Sequence, residues 1–348
     1  MPKVSFASID CSQIAAGSYY VGFNLDTAGA LSKMDSSGTI TLLEGGGGVV
    51  NSSSGTYSTY RICASNTASG DYSTVFGYTN TASGYGSTVS GGYNNIVNLD
   101  LSTVSGGYGN TSSGYYSVVG GGAYNTALSD YSTVSGGYGS SAANISATVS
   151  GGYSNSASGI GSTVGGGLGN TASGYYGATV SGGQQNTASG CYSTISGGYG
   201  NTASGNYGTT VSGGQQNTAS GGYYATVSGG YNNTASGYCS TVGGGYQNTS
   251  SSYASTVSGG YSNTASGSNS TISGGCNNTA SGILSGILGG EGNNTNGCNC
   301  AFIVGSGITA DTAGATFVNQ LSIKGIPTSS VGLCAGMVWS DTGKLCIV

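Results

Sequence analysis

Histidine is absent from this chain of 348 residues, which removes Ser-His-Asp and Cys-His catalytic constellations at the outset. Within the repetitive part, the acidic residues Asp71, Asp100, Asp130 and Glu291 lie in separate stretches. No two of them can sit at the spacing that paired carboxylates need for glycoside hydrolysis. Nine cysteines are an odd number, so at least one is unpaired within a chain, and Cys298 and Cys300 are too close, with no His, for a zinc site. Cys334 and Cys346 flank a short terminal segment and are able to pair. The many G-x-G strings fall at turns rather than between a strand and a long helix, so they do not cradle a dinucleotide. Calcium-binding repeats need an Asp in every unit, which is missing here. The sequence therefore predicts no enzyme, no metal and no cofactor. What recurs at fixed spacing is tyrosine, at Tyr93, Tyr108, Tyr138, Tyr153, Tyr199, Tyr231, Tyr246 and Tyr261. Exposed rings in a row bind sugars or surfaces, and packed ones seal turns or contacts between chains. Gln184 and Gln215 in the same series favour the exposed placement.

These tyrosines belong to a repeat that begins at Ser58 and ends at Cys300, S-T-V-S-G-G-Y-x-N-T-A-S-G-x-x, nearly always 15 residues long. A short fixed period means a solenoid, each repeat forming one coil on the last. Numbering positions 1 to 15, position 3 is Val or Ile in every unit but the first, as in Val89, Val104, Val134, Val149 and Val164. Polar residues flank it at positions 2 and 4, the alternation of a half-buried strand. Position 11, usually Ala, centres a second short strand, and Gly at 5, 6 and mostly 13 marks the turns. Position 9 is Asn in all units except that of Ser140, including Asn95, Asn110, Asn155, Asn170 and Asn233, which predicts an amide ladder along the axis. A second tyrosine series occupies positions 14 and 15, for example Tyr115, Tyr116, Tyr175 and Tyr224. At about 4.8 Å per coil, sixteen coils make a rod of roughly 75 Å.

Only 4% of residues are charged, with five Lys or Arg and a net charge of −5. No basic stripe exists to hold nucleic acid, and no run of 18 apolar residues exists to span a membrane. The start, Met-Pro-Lys-Val-Ser-Phe, has no charged-then-apolar leader pattern. One Val and one Ala per coil give roughly 1.5–3 kcal/mol for the valine, against a backbone entropy cost of about 1–2 kcal/mol per residue. Packing copies around an axis buries a further face, so a homotrimer is expected.

The unit, with its T-V-S-G-G and N-T-A-S-G halves, resembles the head repeat of trimeric autotransporter adhesins of the YadA type. That resemblance implies a left-handed parallel β-roll, three chains per rod and an adhesive or spacing role. The flanks are similar to those of phage and virus fibre proteins: residues 20–44 read as strands joined by Thr-Ala-Gly and Ser-Ser-Gly turns, and Ile326–Leu345 as a short closing module.

The expected architecture is thus all-β: an N-terminal attachment or capping module over 1–57, a β-roll over 58–300 and a trimer-closing module over 301–348, with Val338 and Trp339 in its apolar plug. The expected function is a structural and adhesive fibre on a virion surface, contacting other virion proteins and a host glycan or protein receptor. The alternative is a cell-surface adhesin or an extracellular filament subunit that self-assembles head to tail.

Overall fold

The computed structural model describes residues 65–322 continuously, together with residues 327 and 331 and short strands elsewhere. Contacts divide the chain into two units, residues 1–185 and 186–348. Both are parallel β-solenoids, together making about 17 turns, and the described residues contain no helix.

In the first unit, the T-V strands stack in one parallel column, from Thr59–Arg61 through Thr74–Val75 and Thr103–Val104 to Thr179–Val180. The T-A strands form a second parallel column, from Thr67–Ala68 to Thr171–Ala172. Register is strict: Val149 pairs with Val164, and Ala157 with Ala172. From Thr67 onward each strand of this unit is only two residues long because the turns follow at once. The β-branched or small member points inward and the Thr outward.

The second unit repeats the pattern from Thr187–Ala188 and Thr194–Ile195 onward. Its T-V column does not stop at Cys300. Ile287 pairs with Ile303, and Ile303 with Phe317, in the same parallel sense. There the spacing drifts and the T-V-S-G-G signature is gone, although the ladder continues.

The core of each coil holds four side chains. Val89, Val104, Val134, Val149 and Val164 are fully buried, as are the alanines at position 11. Two further side chains join them. One is the Asn at position 9; the other is the small residue at position 1, such as Ser87, Ser117 or Ala147. Ser87 and Ser117 donate their hydroxyls to the carbonyls of Gly84 and Gly114, each 2.7 Å away, three residues back across the turn. The hydroxyls of Ser73, Ser193, Thr209, Ser240 and Ser270 are buried without a partner. Ala147, Ala178 and Ala225 show that the position needs a small residue more than it needs a hydroxyl.

The strands Tyr20–Gly22, Ser32–Met34 and Ile40–Leu42 pair as an antiparallel sheet. Val338–Asp341 and Lys344–Ile347 form an antiparallel pair. Val338, expected in an apolar plug, is 40% exposed in the single chain; the side chain of Trp339, any pairing of Cys334 with Cys346 and the remainder of the expected end modules lie outside the described residues.

Candidate adhesive surface

Two corners of each coil carry what the solvent meets. The first spans positions 5–8, and backbone direction explains it. Along the strands, N–H groups donate to the next coil: Thr103 to the Ser117 carbonyl and Tyr108 to the Gly122 carbonyl, both 2.9 Å. At position 8 the direction reverses, and Tyr124 donates back to the carbonyl of Tyr108 at 2.9 Å. Reversal requires a left-handed residue, and Asn94, Tyr124, Gln185 and Asn232 have φ between 54° and 56°. Position 15 does the same: Tyr131, with φ 59°, donates back to the Tyr115 carbonyl at 2.8 Å. These two positions were not assigned from sequence, although Asn94, Gly109, Gly139 and Asn232 at position 8 carry the signal; Tyr, Leu and Gln in other units obscure it.

The asparagine column fixes the first corner from inside. The Asn95 side-chain oxygen accepts the N–H of Asn110 at 2.9 Å, and its amide donates to the carbonyls of Gly91 (3.1 Å) and Gly107 (2.9 Å). Asn155, Asn170 and Asn233 are placed alike, each on a position-5 carbonyl of its own coil and a position-6 carbonyl of the next. The amides therefore bond chiefly to backbone. In the second unit direct amide–amide bonds are added, as from Asn233 to Asn217 at 3.1 Å. At Ser140, where the amide is missing, the hydroxyl still accepts the Asn155 N–H at 3.3 Å.

On this scaffold the position-7 tyrosines stand in register on the outside. Tyr78, Tyr93 and Tyr108 bridge successively, as do Tyr138 with Tyr153 and Tyr231 with Tyr246 and Tyr261. Their rings stack face to face, with centroids 5.1–5.6 Å apart and planes within 17°. Tyr93, Tyr108, Tyr138, Tyr153, Tyr246 and Tyr261 are 41–51% exposed. Tyr199 lies between Gln184 and Gln215 in sequence order, and its ring makes no stack. Because each face is covered by the next ring, a stack offers rims and hydroxyls rather than faces. Sugar stacking, which needs a bare face, is thus confined to the ends of each stack.

The second corner carries Tyr115, Tyr116, Tyr131, Tyr175 and Tyr224, all exposed. Acidic residues here serve the backbone: the carboxylates of Asp100 and Asp130 accept the N–H groups of Tyr85 (2.8 Å) and Tyr115 (3.0 Å). Two phenols are perturbed. Tyr124 is raised above the ordinary phenol range, first by its hydrogen bond with Tyr108. Tyr238 is raised, first by burial against its neighbours. The described cysteines, Cys191, Cys239, Cys276, Cys298 and Cys300, are free thiols.

Between the corners lie two flat faces. Thr and Ser at positions 2 and 4 cover one, and Thr and Ser at 10 and 12 cover the other. No Lys, Arg or His occurs between Arg61 and Lys324, and no charged side chain of either sign between Asp130 and Glu291. Among the described residues no three His, Cys, Asp or Glu side chains gather as a metal site. The surface is one of hydroxyls, phenols, amides and backbone, with scattered apolar side chains such as Ile145, Leu168, Leu284 and Leu288.

No curated protein matches the chain. Residues 255–267, which span the T-V strand of Thr256–Val257 and the T-A strand of Thr264–Ala265, match the ubiquitous surface protein adhesin repeat. That match and the parallel solenoid fit β-roll repeats of the YadA-like kind, as in trimeric autotransporter adhesins.

Proposed function

We propose that this chain is a subunit of an adhesive surface fibre, acting as a homotrimer at a cell surface. The observation that carries the reading is the uncharged surface between Asp130 and Glu291, rich in hydroxyls and phenols with scattered exposed Leu and Ile, built on coils of an adhesin repeat type. Such a surface attaches by hydrogen bonds and apolar contact, and it lacks the charge repulsion that keeps ordinary proteins apart. Host glycans or proteins displaying hydroxyls and apolar patches are the partners it suits. The reading supports a structural role rather than an enzymatic one. The repeat match favours a cell-surface adhesin over a virion appendage, and antibody labelling of the coils on cells or on particles separates these placements.

Attachment of beads coated with the chain is expected to be insensitive to ionic strength, because screening acts only on charges. It is expected to weaken when Tyr231→Ala and Tyr246→Ala are combined, with the coils still folded. Attachment that disappears in high salt, or that ignores the double substitution, contradicts this assignment of the contact surface.

A further inference from the structure

The stacked tyrosines have a reactivity that adhesion does not use. Tyr231, Tyr246 and Tyr261 are bridged in register, with ring centroids 5.1 Å apart at both steps and planes 17° and 6° from parallel. Tyr138 and Tyr153 repeat the geometry at 5.1 Å and 6°. The rings stand at a corner: Tyr138, Tyr153, Tyr246 and Tyr261 are 41–51% exposed and Tyr231 is half-buried, so a soluble oxidant reaches the stacks from their open side. The parallel ladder, meanwhile, holds the two backbones at a fixed separation of about 4.8 Å. Pre-positioning of this kind converts an encounter of two radicals into an intramolecular step.

We propose that the position-7 stacks are sites of oxidative coupling, in which tyrosines of successive coils are joined as ortho,ortho-dityrosine. The oxidant class is a haem peroxidase with hydrogen peroxide. Each of two phenols gives up one electron and one proton, a carbon–carbon bond forms between the two ortho carbons, and the two ortho hydrogens leave as protons while the phenolic oxygens are reprotonated. In balance, two hydrogen atoms leave the protein and one hydrogen peroxide becomes two waters. The links staple coil to coil along one edge. The stack that starts at Tyr231 ends where Cys276 follows Tyr261, so coupling there is limited to the two steps between three rings.

The experiment is to treat the full-length chain with peroxidase and hydrogen peroxide, then map linked peptides by mass spectrometry. Digestion must use a protease that does not depend on Lys or Arg, since none lies between Arg61 and Lys324. The expected result is dityrosine fluorescence, with linked pairs Tyr138–Tyr153, Tyr231–Tyr246 and Tyr246–Tyr261 each lighter by two hydrogens. Tyr199 stays unlinked, and the chain migrates as a single chain on a denaturing gel. Tyr246→Phe preserves a stacking ring but removes the phenol. It should abolish both links of its column and leave Tyr138–Tyr153 unchanged. Absence of dityrosine, entry of Tyr199 into links as often as Tyr246, or links formed only between chains would overturn the proposal. None of these outcomes bears on attachment, so this test and the bead assay fail independently.

Discussion

Val164→Asp is expected to unfold the coils around it at neutral pH and to be partly rescued by acid. Val164 is fully buried and pairs in the ladder with Val149 on one side and Val180 on the other. A carboxylate placed there meets apolar side chains, and the sequence offers no cation from Arg61 to Lys324 to compensate it. Losing the valine costs roughly 1.5–3 kcal/mol. Keeping the carboxyl neutral at pH 7, against its ordinary value near 3.9, costs about 4 kcal/mol more. The sum is a large share of the ~5–15 kcal/mol that ordinarily separates folded from unfolded domains. Because burial raises the folded-state pKa, the variant loses least below the unfolded value near pH 4 and progressively more as pH rises. Denaturant unfolding followed by circular dichroism at both pH values reads this directly. Val164→Ala loses packing only and should show no added pH dependence. An aspartate variant as stable as the parent at pH 7 would show that position 3 does not face the interior.

The second large effect separates two adjacent glycines. Gly92→Ala is expected to destabilise severely, and Gly91→Ala hardly at all. Gly92 has φ +86°, and a Cβ there would lie 2.1 Å from the Gly107 carbonyl oxygen and 2.6 Å from the Asn95 amide nitrogen. That carbonyl accepts both the Tyr93 N–H at 2.9 Å and the Asn95 side-chain amide at 2.9 Å. The methyl group therefore strains the backbone by about 1–2 kcal/mol and disturbs two hydrogen bonds, that of the Asn95 amide part-buried, at up to about 1–3 kcal/mol for each polar group left unsatisfied. A Cβ on Gly91 meets nothing within 4 Å. A loss above about 3 kcal/mol for Gly92→Ala, with less than about 1 kcal/mol for Gly91→Ala, is the expected pattern. Equal losses at the two sites would contradict the register of the turn.

That contrast also shows where the sequence speaks and where it is silent. The T-V-S and T-A-S triplets announce strands because β-branched or small residues alternate with hydroxyls, and Val149 or Ala157 can be placed inward from pattern alone. Both glycines of the T-V-S-G-G turn look alike in sequence, yet only the second, as in Gly92 or Gly107, lies under the carbonyl of the next coil. Left-handed geometry is partly legible at position 8, where Gly109, Gly139 and Asn232 signal it, and not at position 15, where Tyr116 and Tyr131 adopt it to reverse the direction of one hydrogen bond, a demand set by the stacked neighbour. Burial of position 1 was within reach, since Ser, Ala and Thr there share only small size. The tyrosine series was visible, but the covering of each ring face by the next depends on register between coils. Past Cys300 the ladder persists through Ile303 and Phe317 without its signature residues, held by backbone pairing and apolar character alone.

The central claim is that residues one repeat apart sit one strand apart. Spin labels at Thr103 and Thr163, four coils apart in the first unit, test it most directly when labelled chains are diluted into unlabelled ones. Parallel in-register coils place the two backbones about 19 Å apart, four steps of ~4.8 Å. A flexible segment of the same length would spread around ~43 Å. A narrow distribution near the shorter distance is the predicted result; a broad one near the longer would contradict the stacked coil itself.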